Sequence, residues 1–205
     1  MNLSFIDYQF GVRASTPPAG VVLVHQIHSA RVLTSAEAAV RLQDADALIS
    51  NTPGIPIGIK TADCVPVLLA DPVHRAVAAV HAGWRGTVAS IVSAAIRRMS
   101  REFGVRAEDL HAAIGPSIGS CCYEVGPEVA AEFGIRTDHH VHLDLWQINR
   151  KQLEAAGLDP ANISVSGECT CCGRERYHSY RRDREAAGRM VSWIRIAEPE
   201  NISAQ

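Results

Sequence analysis

A chain of 205 residues, 47% of them apolar, with a net charge of −2 can bury roughly 70% of its unfolded surface and form one core without staples. That charge balance leaves no electrostatic footprint for nucleic acid, and no run of about 18 apolar residues is present to span a membrane as a helix. One domain is expected over 1–205, with a loose tail at about 198–205.

The predicted elements, in chain order, begin with short apolar runs bounded by turn residues: Val21–His25, Ala47–Ser50, Ile55–Lys60, Val65–Ala70 and Ala76–His81, each read as a strand. Asn51-Thr52-Pro53-Gly54 and Asp71-Pro72-Val73-His74 are turns between them. After Gly86 the period changes: Val88, Ile91, Val92, Ala95, Ile96 and Met99 fall at helical spacing, with Arg97, Arg98 and Arg101 opposite. Thr87 is the expected cap of this helix and Phe103-Gly104 its end. A second helix is expected near Pro127 and a third over Gln147–Ala156, ending at Gly157. Further strands are expected at Leu110–Ile114, Val141–Leu145, Ile163–Ser166 and Met190–Ile196. Strands and helices mix without strict alternation, which predicts an α+β single domain of mixed β-sheets flanked by helices in a layered sandwich.

Polar residues at the ends of these apolar runs are the candidate site. His28 follows the run ending near His25, Cys64 stands between two apolar strands beside Asp63, and His81 ends the run Ala76–Val80. Two imidazoles and a thiolate are a natural three-ligand set for Zn²⁺, leaving a fourth position for water or substrate. The competing reading is ordinary: a lone cysteine is often a small buried hydrophobe, a lone histidine is often merely hydrogen-bonded, and no compact finger spacing links the three. Met1–Asp7 lacks the basic start and apolar stretch of a secretory signal. The six cysteines are therefore expected to be reduced thiols in the cytoplasm. The arginines between Arg174 and Arg189 interleave with acids and read as a solvated surface.

The segments Thr61-Ala62-Asp63-Cys64-Val65-Pro66-Val67 and His81-Ala82-Gly83-Trp84-Arg85-Gly86 resemble the core of the multicopper polyphenol oxidase (laccase-domain) family, whose members are also described as purine nucleoside phosphorylases. His25-Gln26-Ile27-His28, Asp46-Ala47, Ile114–Gly119, Tyr123–Gly126, Asp144–Trp146 and Ser179–Asp183 extend the likeness, so that it runs from about Phe10 to Ile194. The resemblance implies that His28, Cys64 and His81 are the metal ligands. Phe10–Arg13 resembles the end of an initial strand, and Arg13 matches a family arginine that faces the pocket. Only Ala14–Gly20 separate it from Val21, a shorter stretch than is common. Cys169-Thr170 follows the family, whereas Cys121, Cys122, Cys171 and Cys172 are less typical and are read as ordinary thiols; a second metal or a redox pair in the Cys169-Thr170-Cys171-Cys172 run is the alternative.

The resemblance implies a zinc-dependent purine nucleoside phosphorylase with adenosine deaminase side activity. Its substrates would be adenosine, inosine or methylthioadenosine, with phosphate. It would act as monomer or homodimer, with no membrane or nucleic-acid partner. Asp63 is the candidate proton shuttle and Glu124 a weaker one; Asp63 reads equally well as a loop cap or as a partner of a ligand histidine. Arg85, Arg13 and Arg181 are candidate phosphate contacts. Gly83 and Gly86 permit close backbone approach, and a helix opening near Thr87 would offer N–H groups to an anion. Two other chemistries compete. One is a cysteine hydrolase with Cys64 as nucleophile and His81 as base, acting in peptidoglycan precursor editing. The other is a copper-dependent polyphenol oxidase, since Cu²⁺ binds His₂Cys sets tightly. A four-copper centre needs several His-x-His pairs, and the sequence has one, His140-Val141-His142, among nine histidines.

Overall fold

The computed structural model describes residues 1, 3–40 and 42–198. The expected tail lies outside them apart from Glu198. Eleven strands are ordered along the chain: β1 (Ile6–Gln9), β2 (Val32–Thr34), β3 (Ala47–Ser50), β4 (Ile57–Thr61), β5 (Val65–Asp71), β6 (Ala76–Ala82), β7 (His111–Ile114), β8 (Glu124–Val125), β9 (Val141–His142), β10 (Ile163–Val165) and β11 (Met190–Ile196). The helices are α1 (Ser35–Val40), α2 (Trp84–Val88), α3 (Ile91–Phe103), α4 (Pro127–Glu132), α5 (Leu145–Ala155) and α6 (Tyr180–Asp183). Six strands form a mixed sheet in the order β10-β7-β5-β6-β3-β2, and β1-β11-β4 form a separate antiparallel sheet.

The central strands β5 and β6 are buried along their whole length, which is why they read as unbroken apolar runs rather than alternating ones. Their two faces serve different cores. Val67, Leu69, Ala78 and Val80 pack with the buried stripe of α3, namely Ile91, Val92, Ala95, Ile96 and Met99. Leu68, Ala70, Val77 and Ala79 pack with Ile57, Ile59, Ile194 and Ile196 of the three-stranded sheet. The result is a layered α+β sandwich, as the mixed pattern predicts. Among the described residues no helix is long and apolar enough to cross a membrane.

Three local expectations are corrected. Val21–His25 is not a strand. Val22 bonds to Pro56 and Gly58, whereas His25 bonds to Gln43 and Ala45, so the segment changes partner midway and no ladder forms. The helix expected from Thr87 is split, because Ser90 adopts a left-handed conformation (φ 54°) between α2 and α3. Thr87 lies inside α2, buried, and its hydroxyl accepts from Asn149 Nδ2 at 3.1 Å instead of capping. The strand expected over Val141–Leu145 stops at His142 because Asp144 caps α5, accepting from Gln147 N at 3.0 Å. Gly104 (φ 74°) closes α3 in the left-handed conformation that glycine adopts without strain.

Candidate metal centre

His81 is the penultimate residue of β6, and its Nδ1 lies 2.8 Å from Asp46 Oδ1. Asp46 is fully buried just before β3. The same carboxylate accepts the backbone N–H groups of Ile27 (3.3 Å), His28 (2.9 Å) and Ser29 (2.6 Å) and the Ser29 hydroxyl (2.8 Å). One buried anion therefore orients His81 through its ring and His28 through its main chain. The turn it holds sets His28 at φ 61°, a conformation a non-glycine residue keeps only where its surroundings impose it.

Cys64 sits in the turn between β4 and β5. Asp63, beside it, is buried and also left-handed, with φ 87°. Its carboxylate accepts from Thr170 Oγ1 (2.7 Å), Ser179 Oγ (3.1 Å) and Arg181 N (2.6 Å), and its carbonyl accepts from Ile118 N (2.9 Å). These bonds pin the turn to two distant loops and so fix where the thiol points. The partner of His81 is Asp46, not Asp63.

The ligand atoms of His28, Cys64 and His81 all lie within 4.8 Å of one another. Four ligands at bond lengths of about 2.0–2.3 Å stand roughly 3.3–3.8 Å apart around a tetrahedral ion, so small side-chain movements close this set on a divalent cation. His81 Nδ1 is engaged by Asp46, which leaves the other ring nitrogen for the cation, the usual support for a ligand histidine. Gly83 forms the wall beside them. A Cβ there would stand 3.1 Å from Cys64 Sγ and 3.2 Å from His28 Cδ2. Gly83→Ala is therefore expected to displace two ligands at once and weaken zinc affinity by on the order of tenfold, comparable to losing a supporting partner, as measured by competition with a chromogenic chelator.

The charges reinforce one another. Burial works against Asp46 ionising, yet the hydrogen bonds from His81 and Ser29 hold its carboxyl down at about 2. Burial also opposes the charged forms of the other two, but Asp46 and Cys64 raise His81 to about 9, and His28 and His81 lower Cys64 to about 6. In metal-free protein, Cys64 is thus expected to react with iodoacetamide as the pH rises through about 6, against an ordinary 9.0. Peptide mass spectrometry reads the modification, and added zinc is expected to suppress it.

These residues floor a cavity of about 750 Å³, within the usual range for small-molecule sites. Ile118, Tyr123, Trp84 and Leu145 contribute apolar surface to it; Lys60, Arg181, Arg184 and Arg189 contribute cations, with Glu185 among them. Burial and the Cys64 charge push the Tyr123 phenol up to about 12, so it is a hydrogen-bond donor at neutral pH. Arg181 is held in place: its Nη1 donates to the carbonyls of Cys122 (3.2 Å) and Glu124 (2.9 Å).

The remaining candidates are placed differently. Arg13 donates to Tyr177 O (3.0 Å) and to Asp183 (3.3 Å) and is not part of the cavity lining. Arg85 is exposed, with its guanidinium 4.0 Å from the Trp84 ring centroid. Glu124 is exposed in β8, and it is its carbonyl, not its carboxylate, that meets Arg181. The helix expected to open near Thr87 starts at Trp84, and the Thr87 N–H is taken by Gly83 O. The arginine patch is not simply solvated: Arg181, Arg184 and Arg189 line the cavity, while Arg182 ties together the carbonyls of Thr170, Cys171 and Tyr177. Asp46 is the functional residue that the motif reading passed over. Its signal was a carboxylate, which must be paired when buried, directly against the apolar run Ala47–Ile49. Cys121, Cys122, Cys169 and Cys172, read as separate thiols, come together with their sulfurs within 4.8 Å.

Residues 8–197 match the family model described as multi-copper polyphenol oxidoreductase laccase. A purine nucleoside phosphorylase of Bacteroides thetaiotaomicron is 44% identical over 168 residues, covering 76% of this chain and 62% of that protein. A protein of the same name from Deinococcus radiodurans is 40% identical, covering 89% of this chain and 72% of its own length. Adenosine deaminase RL5, from an unknown prokaryotic organism, is 38% identical, with 85% and 74% covered. Among solved structures, the YfiH protein of Bacillus licheniformis superposes with a TM-score of 0.80 at 33% identity, covering 86% of this chain and 74% of that one.

Proposed function

Because the chain belongs to the multi-copper polyphenol oxidoreductase laccase family, and its relatives include proteins named purine nucleoside phosphorylase and adenosine deaminase, we propose that it is a zinc-dependent purine nucleoside enzyme. Its main reaction in this reading is phosphorolysis of adenosine or inosine, with deamination of adenosine as a second activity. The observation that carries this is the convergence of His28, Cys64 and His81 in a cavity also lined by aromatic, aliphatic and cationic side chains.

A divalent cation held by these three residues supplies Lewis-acid activation of water or of a substrate heteroatom at neutral pH. Everything else falls to side chains. Trp84, Tyr123 and Leu145 offer aromatic and aliphatic faces to a planar base. Arg181, held by two carbonyls, offers a pre-ordered guanidinium to phosphate, and Lys60, Arg184 and Arg189 add positive charge to the same cavity. In phosphorolysis a phosphate oxygen bonds to the sugar C1′, the C1′–N9 bond breaks, and the base leaves with the electron pair and gains a proton. Tyr123 is the neutral donor at that wall. In deamination water adds at C6 and ammonia leaves. Asp63, whose carboxylate already accepts three hydrogen bonds, is assigned a positioning role rather than that of proton shuttle.

Copper suits the same donor set. A multi-copper cluster finds less support, since the groups able to hold a metal among the described residues are this trio and the four cysteines. A cysteine hydrolase is the second reading, and the mutual stabilisation of a Cys64 thiolate and a His81 imidazolium is the observation in its favour. Product analysis decides between them. Purified protein is incubated with adenosine with and without phosphate: phosphate-dependent adenine release supports phosphorolysis, and phosphate-independent inosine supports deamination. Neither product from metal-loaded protein would sink the nucleoside reading.

A further inference from the structure

A second set of metal-type donors lies beside the cavity, outside the chemistry described above. Strands β7 and β10 are parallel neighbours, so the loops that follow them leave the sheet side by side. The pairing continues past the strands: Ser166 N bonds to Ile114 O (2.9 Å), Ser117 N to Glu168 O (3.2 Å) and Thr170 N to Ser117 O (3.0 Å). Each loop then makes a tight turn, the first carrying two thiols and the second three. In the first, Cys122 N returns to Gly119 O (3.0 Å), presenting Cys121 and Cys122; in the second, Gly173 N returns to Cys169 O (2.9 Å), presenting Cys169 and Cys172.

The four sulfurs meet. Cys172 Sγ lies 3.4 Å from Cys122 Sγ and 3.7 Å from Cys121 Sγ, and all four sulfurs are within 4.8 Å of one another. A tetrahedron of sulfurs at a Zn–S distance of about 2.3 Å has edges of about 3.8 Å; the 3.4 and 3.7 Å separations stand close to that edge, and the 4.8 Å limit on the rest leaves only small movements to close the set. A disulfide would instead need about 2.05 Å between one pair and would leave the other two thiols without a role. The Gly119 N–H points at Cys169 Sγ from 3.3 Å, a supporting bond of the kind that orients metal ligands. Cys169 and Cys172 have the C-x₂-C spacing of structural zinc sites; the vicinal Cys121-Cys122 pair completes the set from the neighbouring loop, which is why spacing alone does not reveal it.

We propose that Cys121, Cys122, Cys169 and Cys172 form a tetrathiolate site for a zinc-class divalent cation, distinct from the His28–Cys64–His81 centre. Its four protein ligands leave no open position, so its role is to clip loops. The clip fixes parts of the cavity wall: Tyr123 follows Cys122 directly, the Cys122 carbonyl holds Arg181, and Thr170 holds Asp63. Cys171 is not a ligand. The proposal does not depend on which reaction the cavity performs.

The test uses the full chain carrying Cys64→Ala, which removes the other centre. Inductively coupled plasma mass spectrometry is expected to find one equivalent of zinc. Cobalt substitution is expected to give the sulfur-to-metal charge-transfer bands and the intense ligand-field bands of a tetrathiolate. Titration with a mercurial is expected to release that zinc as four thiols are consumed, a readout that needs no further variant to fold. Adding Cys121→Ser and Cys172→Ser should abolish the cobalt spectrum. Absence of bound metal in Cys64→Ala, a cobalt spectrum lacking thiolate bands, or an intact mass two hydrogens lighter from a disulfide would each overturn the site.

Discussion

Cys64→Ala is expected to abolish turnover of adenosine, lowering kcat/KM by more than the ~10–100-fold that loss of a mere supporting partner costs. The thiol is half-buried in the cavity and belongs to none of the hydrophobic clusters, so no core packing is lost; at neutral pH the metal-free variant should lose only the stability that the thiolate and the His81 imidazolium lend each other. The imidazoles of His28 and His81, with ring centroids 5.1 Å apart, remain but offer two donors in place of three, and both lose the anion that drew a cation between them. Zinc content should fall by one equivalent relative to wild type. A variant that keeps both equivalents and loses only activity would mark Cys64 as a nucleophile and favour the hydrolase reading.

Asp46→Asn is expected to be nearly as damaging, through two routes at once. The amide oxygen cannot replace a carboxylate that serves His81, Ser29 and the 27–29 turn together. Metal affinity should fall by roughly 10–100-fold, and stability at pH 7 by about 2–3 kcal/mol for a broken buried ionic network. The sign of the pH dependence separates the two partners in metal-free protein. Asp46 ionises at about 2 when folded against an ordinary 3.8, so its contribution is complete above that ordinary value and is lost as the pH falls through about 2. Held at about 9 against an ordinary 6.5, His81 contributes fully below 6.5, and that contribution is lost as the pH rises through about 9. Cys64, held at about 6 against an ordinary 9.0, gains over that same alkaline window what His81 loses. Urea midpoints of wild type should therefore stay nearly level from pH 6.5 to 9 and decline toward acid as Asp46 protonates, and Asp46→Asn should flatten the acid decline. Parallel curves for the two proteins would show that the pair is not coupled as described.

The central strands were legible because burial on both faces leaves a long apolar run no other use: β3 has the bounds expected for it, and β5 and β6 overrun theirs by one residue; β11, buried at alternate residues in the other sheet, also has its expected bounds. The Val21–His25 segment was not, because its apolar run is the same whether its backbone pairs with one neighbour or changes between two. Of the site, the ligands follow or precede apolar runs, where a polar residue is conspicuous even though only His81 lies in a strand. Asp46 announces itself less plainly, since Asp44 two residues earlier looks the same in sequence and only Asp46 is buried. The arginines illustrate the limit of motif reading: Arg13, Arg85 and Arg181 look alike in sequence, and only the loop geometry admits Arg181 to the cavity while Arg13 is taken by Asp183 and Arg85 by Trp84. The thiol cluster depends on two loops brought together by a parallel strand pair far apart in the chain, a relation that spacing cannot carry.

The most direct measurement is a zinc titration of metal-free protein while adenine release from adenosine is followed in the presence of phosphate. We expect wild type to gain activity in proportion to filling of the His28–Cys64–His81 centre, and Cys64→Ala to gain none while still taking up zinc at its cysteine cluster. Equal rates for metal-free and zinc-loaded wild type, or zinc-dependent activity in Cys64→Ala, would contradict the assignment of this centre as the seat of the reaction.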